Sequence, residues 1–251
     1  LSHAALYLLL AIAAFVAGIQ NALAGGGSFL IFPALLLTGL DPRAANISST
    51  IALFPGQMAT GFAGRRQCAG TPSLRLRALV AISLVGGGLG AVLLLVTPVS
   101  IFSALVPWLV LFATLVFAWG SFVRRASPMT KPLGPWIAGS LQFGISIYGG
   151  YFGGGIGILM LAALTLSGLA LRSAGATKNV LAGVMNSSAV VIFLFSSGVA
   201  WTQVAVGATT PLAGGQIGAY ALNRVNEKVM RICILLLGFA LTIGLFMRYH
   251  S

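Results

Sequence analysis

Asn21-Ala-Leu-Ala-Gly-Gly-Gly-Ser28 and Tyr148-Gly-Gly-Tyr-Phe-Gly-Gly-Gly-Ile-Gly157 each open a short apolar run, one in each half of the chain. Under a shift of 129 residues Gly25-Gly26 falls on Gly154-Gly155, Ala34-Leu35 on Ala163-Leu164, Gly39-Leu40 on Gly168-Leu169 and Arg43 on Arg172. From 25 to 50, ten of 26 positions are identical under that shift. With a one-residue gap, Gly86-Gly87…Gly90-Ala91 then meets Gly214-Gly215…Gly218-Ala219. Such self-similarity indicates one unit used twice. The two units run over 1–127 and 128–251 and are read as two transmembrane repeats of one integrated membrane domain.

Around the turns the chain reads as lipid-embedded. Hydrophobic side chains make up 58% of the 251 residues and charged ones 6%, and the mean hydropathy is +1.02. A soluble domain carries about 25% charged residues, so a soluble enzyme and a single-anchor receptor are both excluded. Ten apolar segments can be marked, near 4–20, 28–39, 47–63, 77–96, 101–122, 133–150, 156–170, 180–197, 204–222 and 229–247. The first lacks the basic n-region of a signal peptide and has a counterpart at 133–150, so it reads as mature structure. The expected fold class is all-α, a polytopic membrane transporter of about ten helical segments.

Charge gives the orientation. Fourteen Lys/Arg stand against two carboxylates, Asp41 and Glu227, for a net charge of +12. In a soluble chain that imbalance would point to nucleic acid, but here the basic residues sit at segment ends, where cytoplasmic loops collect them. No nucleic-acid partner is expected. With five segments in each half, Arg65, Arg66, Arg75, Arg77, Arg124, Arg125, Lys131, Arg172, Lys178, Arg224, Lys228 and Arg231 fall on one side, and only Arg43 and Arg248 on the other. That side is cytoplasmic by the positive-inside rule, so both termini are expected outside. Five is odd, hence the repeats are expected to be inverted, a transporter signature.

The second and seventh segments are short. Residues 25–39 rise about 22 Å as a helix, less than the roughly 30 Å hydrocarbon core. Segments 1–2 and 6–7 therefore read as V-shaped broken hairpins with their turns near the midplane. At each turn the second arm would present its unpaired N–H groups and positive dipole end. Gly25, Gly26, Gly27 and, in the other half, Gly153, Gly154 and Gly155 would let an oxyanion approach the backbone, and Ser28 adds a hydroxyl donor. The competing reading is close helix packing by small residues.

Other polar residues carry the same two readings. Ser49 and Thr50 open the third segment, Lys178 and Asn179 the eighth; they either cap and snorkel or reach the substrate path. Gln57 and Asn186 coincide under the shift, each near mid-segment, and either bond between helices or contact the ligand. Asn21 and Tyr148 flank the turns and are candidate lining, as are Gln20 and Gln142. Asp41-Pro42 reads as a helix start outside the membrane. Cys68 and Cys233 form no CxxC pair, so neither a disulfide framework nor a metal site is expected.

The run Asn21-Ala-Leu-Ala-Gly-Gly-Gly-Ser-Phe-Leu-Ile-Phe-Pro33, then Leu36-Leu-Thr-Gly-Leu-Asp-Pro-Arg-Ala-Ala-Asn46 and Ser48-Ser-Thr50, resembles the TauE/SafE family of sulfite-exporter-like permeases. Gly153-Gly-Gly-Ile-Gly157 and Gly175-Ala-Thr-Lys-Asn179 look like the family's second copy, and the similarity covers essentially the whole chain. The resemblance implies transport of a small sulfur-containing or organic anion such as sulfite or sulfoacetate, in a bacterial inner membrane. It also implies that the glycine turns and the Ser/Thr and Lys-Asn helix starts bind it.

Coupling is narrowed by what the apolar segments lack. They hold no carboxylate, and His3 and His250 sit at the ends, so a carboxylate proton relay is not expected. Nor is catalysis, since Ser28 has no histidine in a membrane segment to activate it. Potential-driven export is the expected mode, with a passive anion channel or an importer of another small organic anion as alternatives. No cofactor is expected, and the oligomeric state stays open between monomer and homodimer.

Overall fold

The computed structural model describes residues 3–23, 27–122, 132–208 and 227–250. Among the described residues every regular element is helical. The order is α1 (His3–Leu23), α2 (Ser28–Leu37), α3 (Pro42–Gly64), a short 3₁₀ turn (Arg65–Gln67), α4 (Leu76–Val96), α5 (Val99–Phe122), α6 (Pro135–Tyr151), α7 (Ile156–Leu166) and α8 (Leu171–Leu194). Helical residues 201–208 (α9) and α10 (Glu227–His250) follow. Four helices have candidate membrane spans by length and composition: Ala4–Asn21, Leu76–Val96, Val99–Gly120 and Leu171–Leu194.

The element order agrees with the 129-residue shift. Moved by that amount, α2 overlies α7, and α3 overlies α8 from first residue to last but one. Both short helices stop in the same way. Gly39 (φ +93°) and Gly168 (φ +96°) take the left-handed conformation just past each end, where glycine avoids the Cβ clash. The preceding residues, Thr38 and Ser167, donate their hydroxyls back to Leu35 O and Ala163 O, each at 2.7 Å. Asp41 then caps α3, its carboxylate accepting from Arg43 N (3.0 Å) and Ala44 N (3.1 Å) ahead of Pro42 at the first helical position.

Two segments start earlier than hydropathy indicates, α3 at Pro42 rather than 47 and α8 at Leu171 rather than 180. Their polar second turns, with Asn46, Ser48 and Ser49 in one and Thr177 and Lys178 in the other, are buried in protein instead of lying in water. Ser49, Thr50, Lys178 and Asn179 are accordingly well inside their helices and are not helix starts. The 123–131 linker and residues 209–226 lie outside the described residues, including the basic residues Arg124, Arg125, Lys131 and Arg224 and the Gly214–Ala219 stretch.

Small residues set the packing. α4 and α6 run parallel in close contact: a Cβ at Gly86 would stand 2.6 Å from Ser146 Cβ, and one at Gly90 would overlap the Ile147 carbonyl oxygen. α4 also packs on α8, where a Cβ at Gly87 would overlap the Met185 carbonyl oxygen. Gln142 belongs to this interface, its Nε2 donating to Ser83 Oγ at 2.9 Å. α3 and α8 cross antiparallel, with Gly64 over Ala176, Gly61 over Asn179 and Met58 over Gly183. Arg43, at the start of α3, donates to Thr97 O after α4 (3.0 Å), and Arg172, at the start of α8, donates to Gln67 Oε1 just past the end of α3 (3.2 Å). Large apolar side chains such as Leu8, Val85, Trp108 and Leu236 cover the outside, as a lipid-facing surface requires.

Candidate functional site

The short helices place their N-termini at one level. α7 has 11 residues and shares its C-terminal linker with the 24-residue α8. At 1.5 Å per residue α7 rises about 16 Å against about 36 Å for α8, so it begins near the mid-height of its neighbour. α2, with 10 residues beside the 23 of α3, does the same from the other half. The first arms are longer, 21 residues in α1 and 17 in α6, so the hairpins are unequal.

Both N-termini open on one cavity of about 50 Å³. The first half contributes Asn21 from the end of α1, Ser28 from the start of α2, and Thr50, Leu53, Gln57 and Thr60 from the middle of α3. From the second half come Gly153, Ile156 and Gly157 at the turn into α7, and Lys178, Asn179, Ala182 and Asn186 from α8. The first helical bonds of α7 are donated by Ile158 and Leu159 to Gly155 O, so the Ile156 and Gly157 N–H groups precede the hydrogen-bonded ladder. In α2 the equivalent donors are Leu30 and Ile31, to Gly27 O, which places Ser28 ahead of the ladder. At roughly 10–15 Å³ of such space per water, the cavity has room for a small ion.

Eight of the residues singled out in the sequence, Asn21, Ser28, Thr50, Gln57, Gly153, Lys178, Asn179 and Asn186, are therefore brought together. Gly25 and Gly26 lie outside the described residues. Four others stand next to the cavity without lining it. Ser49 turns its hydroxyl back to Asn46 O (3.0 Å). Tyr148 donates its hydroxyl to Gly154 O (2.8 Å) and stacks edge-on against Phe112, which braces the second turn. Gly154 packs on the Phe152 ring and Gly155 on Ala113.

The glycines do different work in the two turns. Gly27 has an ordinary helical φ of −55°. It is needed because a Cβ there would stand 2.7 Å from Ala17 O, and its N–H is taken by Asn21 Oδ1 at 2.8 Å. Gly153 (φ +80°) and Gly155 (φ +73°) are left-handed. Gly155→Ala is expected to cost about 1–2 kcal/mol, the penalty of an L-residue in that region. A fall in melting temperature would register it.

Hydrogen bonds tie the cavity walls to the rest of the molecule. Asn46 Nδ2 donates to Tyr151 O (2.9 Å), fixing α3 to the end of α6. Thr177 Oγ1 both accepts from Ala69 N (3.0 Å) and donates to Ala69 O (3.1 Å). Asn186 Nδ2 donates to Gln57 Oε1, so two residues 129 apart in sequence meet each other. Their neighbours Met58 and Ser187, also 129 apart, touch as well, with Ser187 Oγ 3.8 Å from Met58 Sδ. The sequence offered interhelical bonding and ligand contact as alternatives for Gln57 and Asn186; the structure shows the interhelical bond, made at the wall of the cavity.

Lys178 is the correction of most consequence. The charge census counts it among the linker cations, yet it is 9% exposed and lines the cavity seven residues into α8. It does not snorkel. Among the described residues no carboxylate lines the cavity beside it, and Asp41 is committed to its cap. A buried ammonium without a counter-ion is expensive, and two helix N-termini add positive potential to the same space. Such a site favours an anion.

A family model described as "Sulfite exporter TauE/SafE" matches residues 10–245. A "Probable membrane transporter protein" of Haemophilus influenzae is 28% identical over 236 residues, covering 91% of this chain and 89% of that protein. The "Probable membrane transporter protein ORF9" of Sinorhizobium sp is 28% identical over 243 residues, covering 93% and 90%. The "Probable membrane transporter protein YfcA" of Escherichia coli K12 is 26% identical over 244 residues, covering 95% and 88%. With the match running over nearly the full sequence and both glycine turns inside it, the chain belongs to the sulfite exporter TauE/SafE family.

Proposed function

We propose that this protein moves a small sulfur-containing anion, sulfite or an organosulfonate such as sulfoacetate, out of the cell by alternating access, driven by the membrane potential. The observation that carries the reading is the buried Lys178 ammonium lining one cavity with the N-termini of α2 and α7. Thr50 and Thr60 give their hydroxyl protons to Asn46 O and Gln57 O, while the amides of Asn21, Asn179 and Asn186 and the hydroxyl of Ser28 complete a neutral donor set. Together these groups replace the water shell of an oxyanion.

In this reading the halves are inverted repeats and the cavity lies near the bilayer midplane. The antiparallel crossing of α3 and α8 supports it, as does the meeting of Gln57 with Asn186 and of Met58 with Ser187. A two-fold axis passing between equivalent residues brings each onto its own copy. With Lys178 removed from the linker count, eleven of fourteen basic residues still fall on the side assigned to the cytoplasm, which supports termini outside the cytoplasm.

Moving one negative charge out of an inside-negative cell gains about 2.3 kcal/mol per 100 mV, and a dianion gains twice that. Proteoliposomes with a clamped potential test the proposal. Saturable sulfite efflux that accelerates as the interior is made negative is the expected result. Efflux that ignores voltage but follows an imposed pH gradient would refute potential-driven export, and flux that never saturates would make the protein a channel.

A further inference from the structure

A second site lies between α4 and α6 and shares no residue with the anion cavity. These helices run parallel, so both begin at the same end of the molecule, α4 after Arg75 and α6 at Pro135. There they diverge enough to leave an open groove of about 520 Å³, lined by Leu74, Ile82, Pro135, Trp136, Ser140 and Phe143. Gly139 forms its floor: a Cβ at that position would only reach ordinary contact, 3.7 Å from Ile82 Cδ1 and 3.8 Å from Leu74 Cδ1.

We propose that this groove holds one acyl chain of an anionic glycerophospholipid, with the headgroup phosphate at its mouth between Arg75, Arg77 and Trp136. The walls are apolar along the length of the groove, as an acyl chain requires. Two basic residues stand in sequence next to one end of the groove, Arg75 directly after the lining residue Leu74 and Arg77 on the first turn of α4. Arg75 and Arg77 are both exposed and make no hydrogen bond or ion pair among the described residues, whereas Arg43, Arg65 and Arg172 are each bound to a backbone or side-chain oxygen. Trp136 is 87% exposed on the first turn of α6, where an indole anchors at headgroup level. Among the described side chains no acidic one stands there, since Asp41 caps the opposite end of α3.

A second copy of the chain is a poorer occupant. Face-to-face pairing across this groove would bring the Arg75 and Arg77 pairs of both copies together, and like charges oppose that.

The test uses the full chain in nanodiscs of phosphatidylcholine doped with phosphatidylglycerol of the same acyl chains, read by native mass spectrometry and thermal melting. One retained phosphatidylglycerol per chain and a rise in melting temperature are expected. At about 1 kcal/mol per basic residue near a lipid headgroup, the R75Q/R77Q double variant should bind it about 30-fold more weakly. Gly139→Leu should fill the groove and abolish retention, with an unchanged melting temperature in pure phosphatidylcholine serving as the fold control. Soluble glycerol phosphate should do nothing, which separates a lipid from a free phosphate. Equal retention of both lipids, or of phosphatidylglycerol by the double variant, would overturn the proposal. So would a dimer whose cross-links run through Ser140.

Discussion

Lys178→Met is expected to abolish the response to sulfite and, at the same time, to raise the melting temperature of the ligand-free protein. The two effects have one cause. Lys178 is buried at the cavity wall with no carboxylate beside it, so the empty protein bears the desolvation of an unpaired charge. Methionine has nearly the same length and flexibility and none of that cost. An ion in the cavity, in contrast, loses a charge-assisted contact worth about 1.5–3 kcal/mol, or roughly 10- to 150-fold in affinity. Thermal melting with and without sulfite reads both sides of the prediction: a higher baseline and no ligand shift. A variant that melts lower when empty would mean that Lys178 is held by structural partners. One that keeps the full sulfite shift would mean that the anion binds elsewhere.

Gly90→Ala is the second large effect, and here folding rather than binding is at stake. A Cβ at Gly90 would run into the Ile147 carbonyl oxygen, and one at Gly150 into the Gly87 carbonyl oxygen. Backbone stands on both sides, so no flexible side chain can yield. Overpacking of this kind costs about 1–3 kcal/mol where neighbours can shift and more where they cannot. About 3 kcal/mol or more is expected for Gly90→Ala, a drop of roughly 6–12 °C in melting temperature. Gly144, on the same α6 helix, has nothing within 4 Å of its Cβ position. Gly144→Ala should therefore stabilise by about 0.5–1 kcal/mol through helix propensity. If both variants behave alike, the close contact of α4 with α6 is not what holds these helices.

The sequence made the helical membrane class legible because it rests on a long pattern. Forty or more apolar residues in a half cannot be wetted, and Gly39 and Gly168 recur because each terminates a short helix in the same left-handed turn. The two short helices, of 10 and 11 residues, were legible as short apolar runs opened by glycines. Boundaries were less so. Hydropathy places the start of α8 at 180 because Lys178 and Asn179 look like water-facing residues, when the surrounding helices supply their environment. Rotamers and partners were out of reach altogether. Nothing in the residue order distinguishes Ser49, which bonds to its own helix, from Thr50, which does so and also lines the cavity. Likewise the glycines at 27 and 155 look alike in sequence, yet one serves close packing and the other a backbone turn.

Under the repeat, Lys178 corresponds to Ser49. One member of that pair is a cation in the cavity wall; the other is a hydroxyl folded back on its own helix. In the proposed repeat the two backbones are thus even-handed, but the side chains they bring to the cavity are not. In the proposed cycle an ion arriving from one side of the bilayer meets the ammonium early in its path, and from the other side it first passes amides and hydroxyls. A preferred direction of travel would then arise from a single divergence between two copies of one ancestral unit.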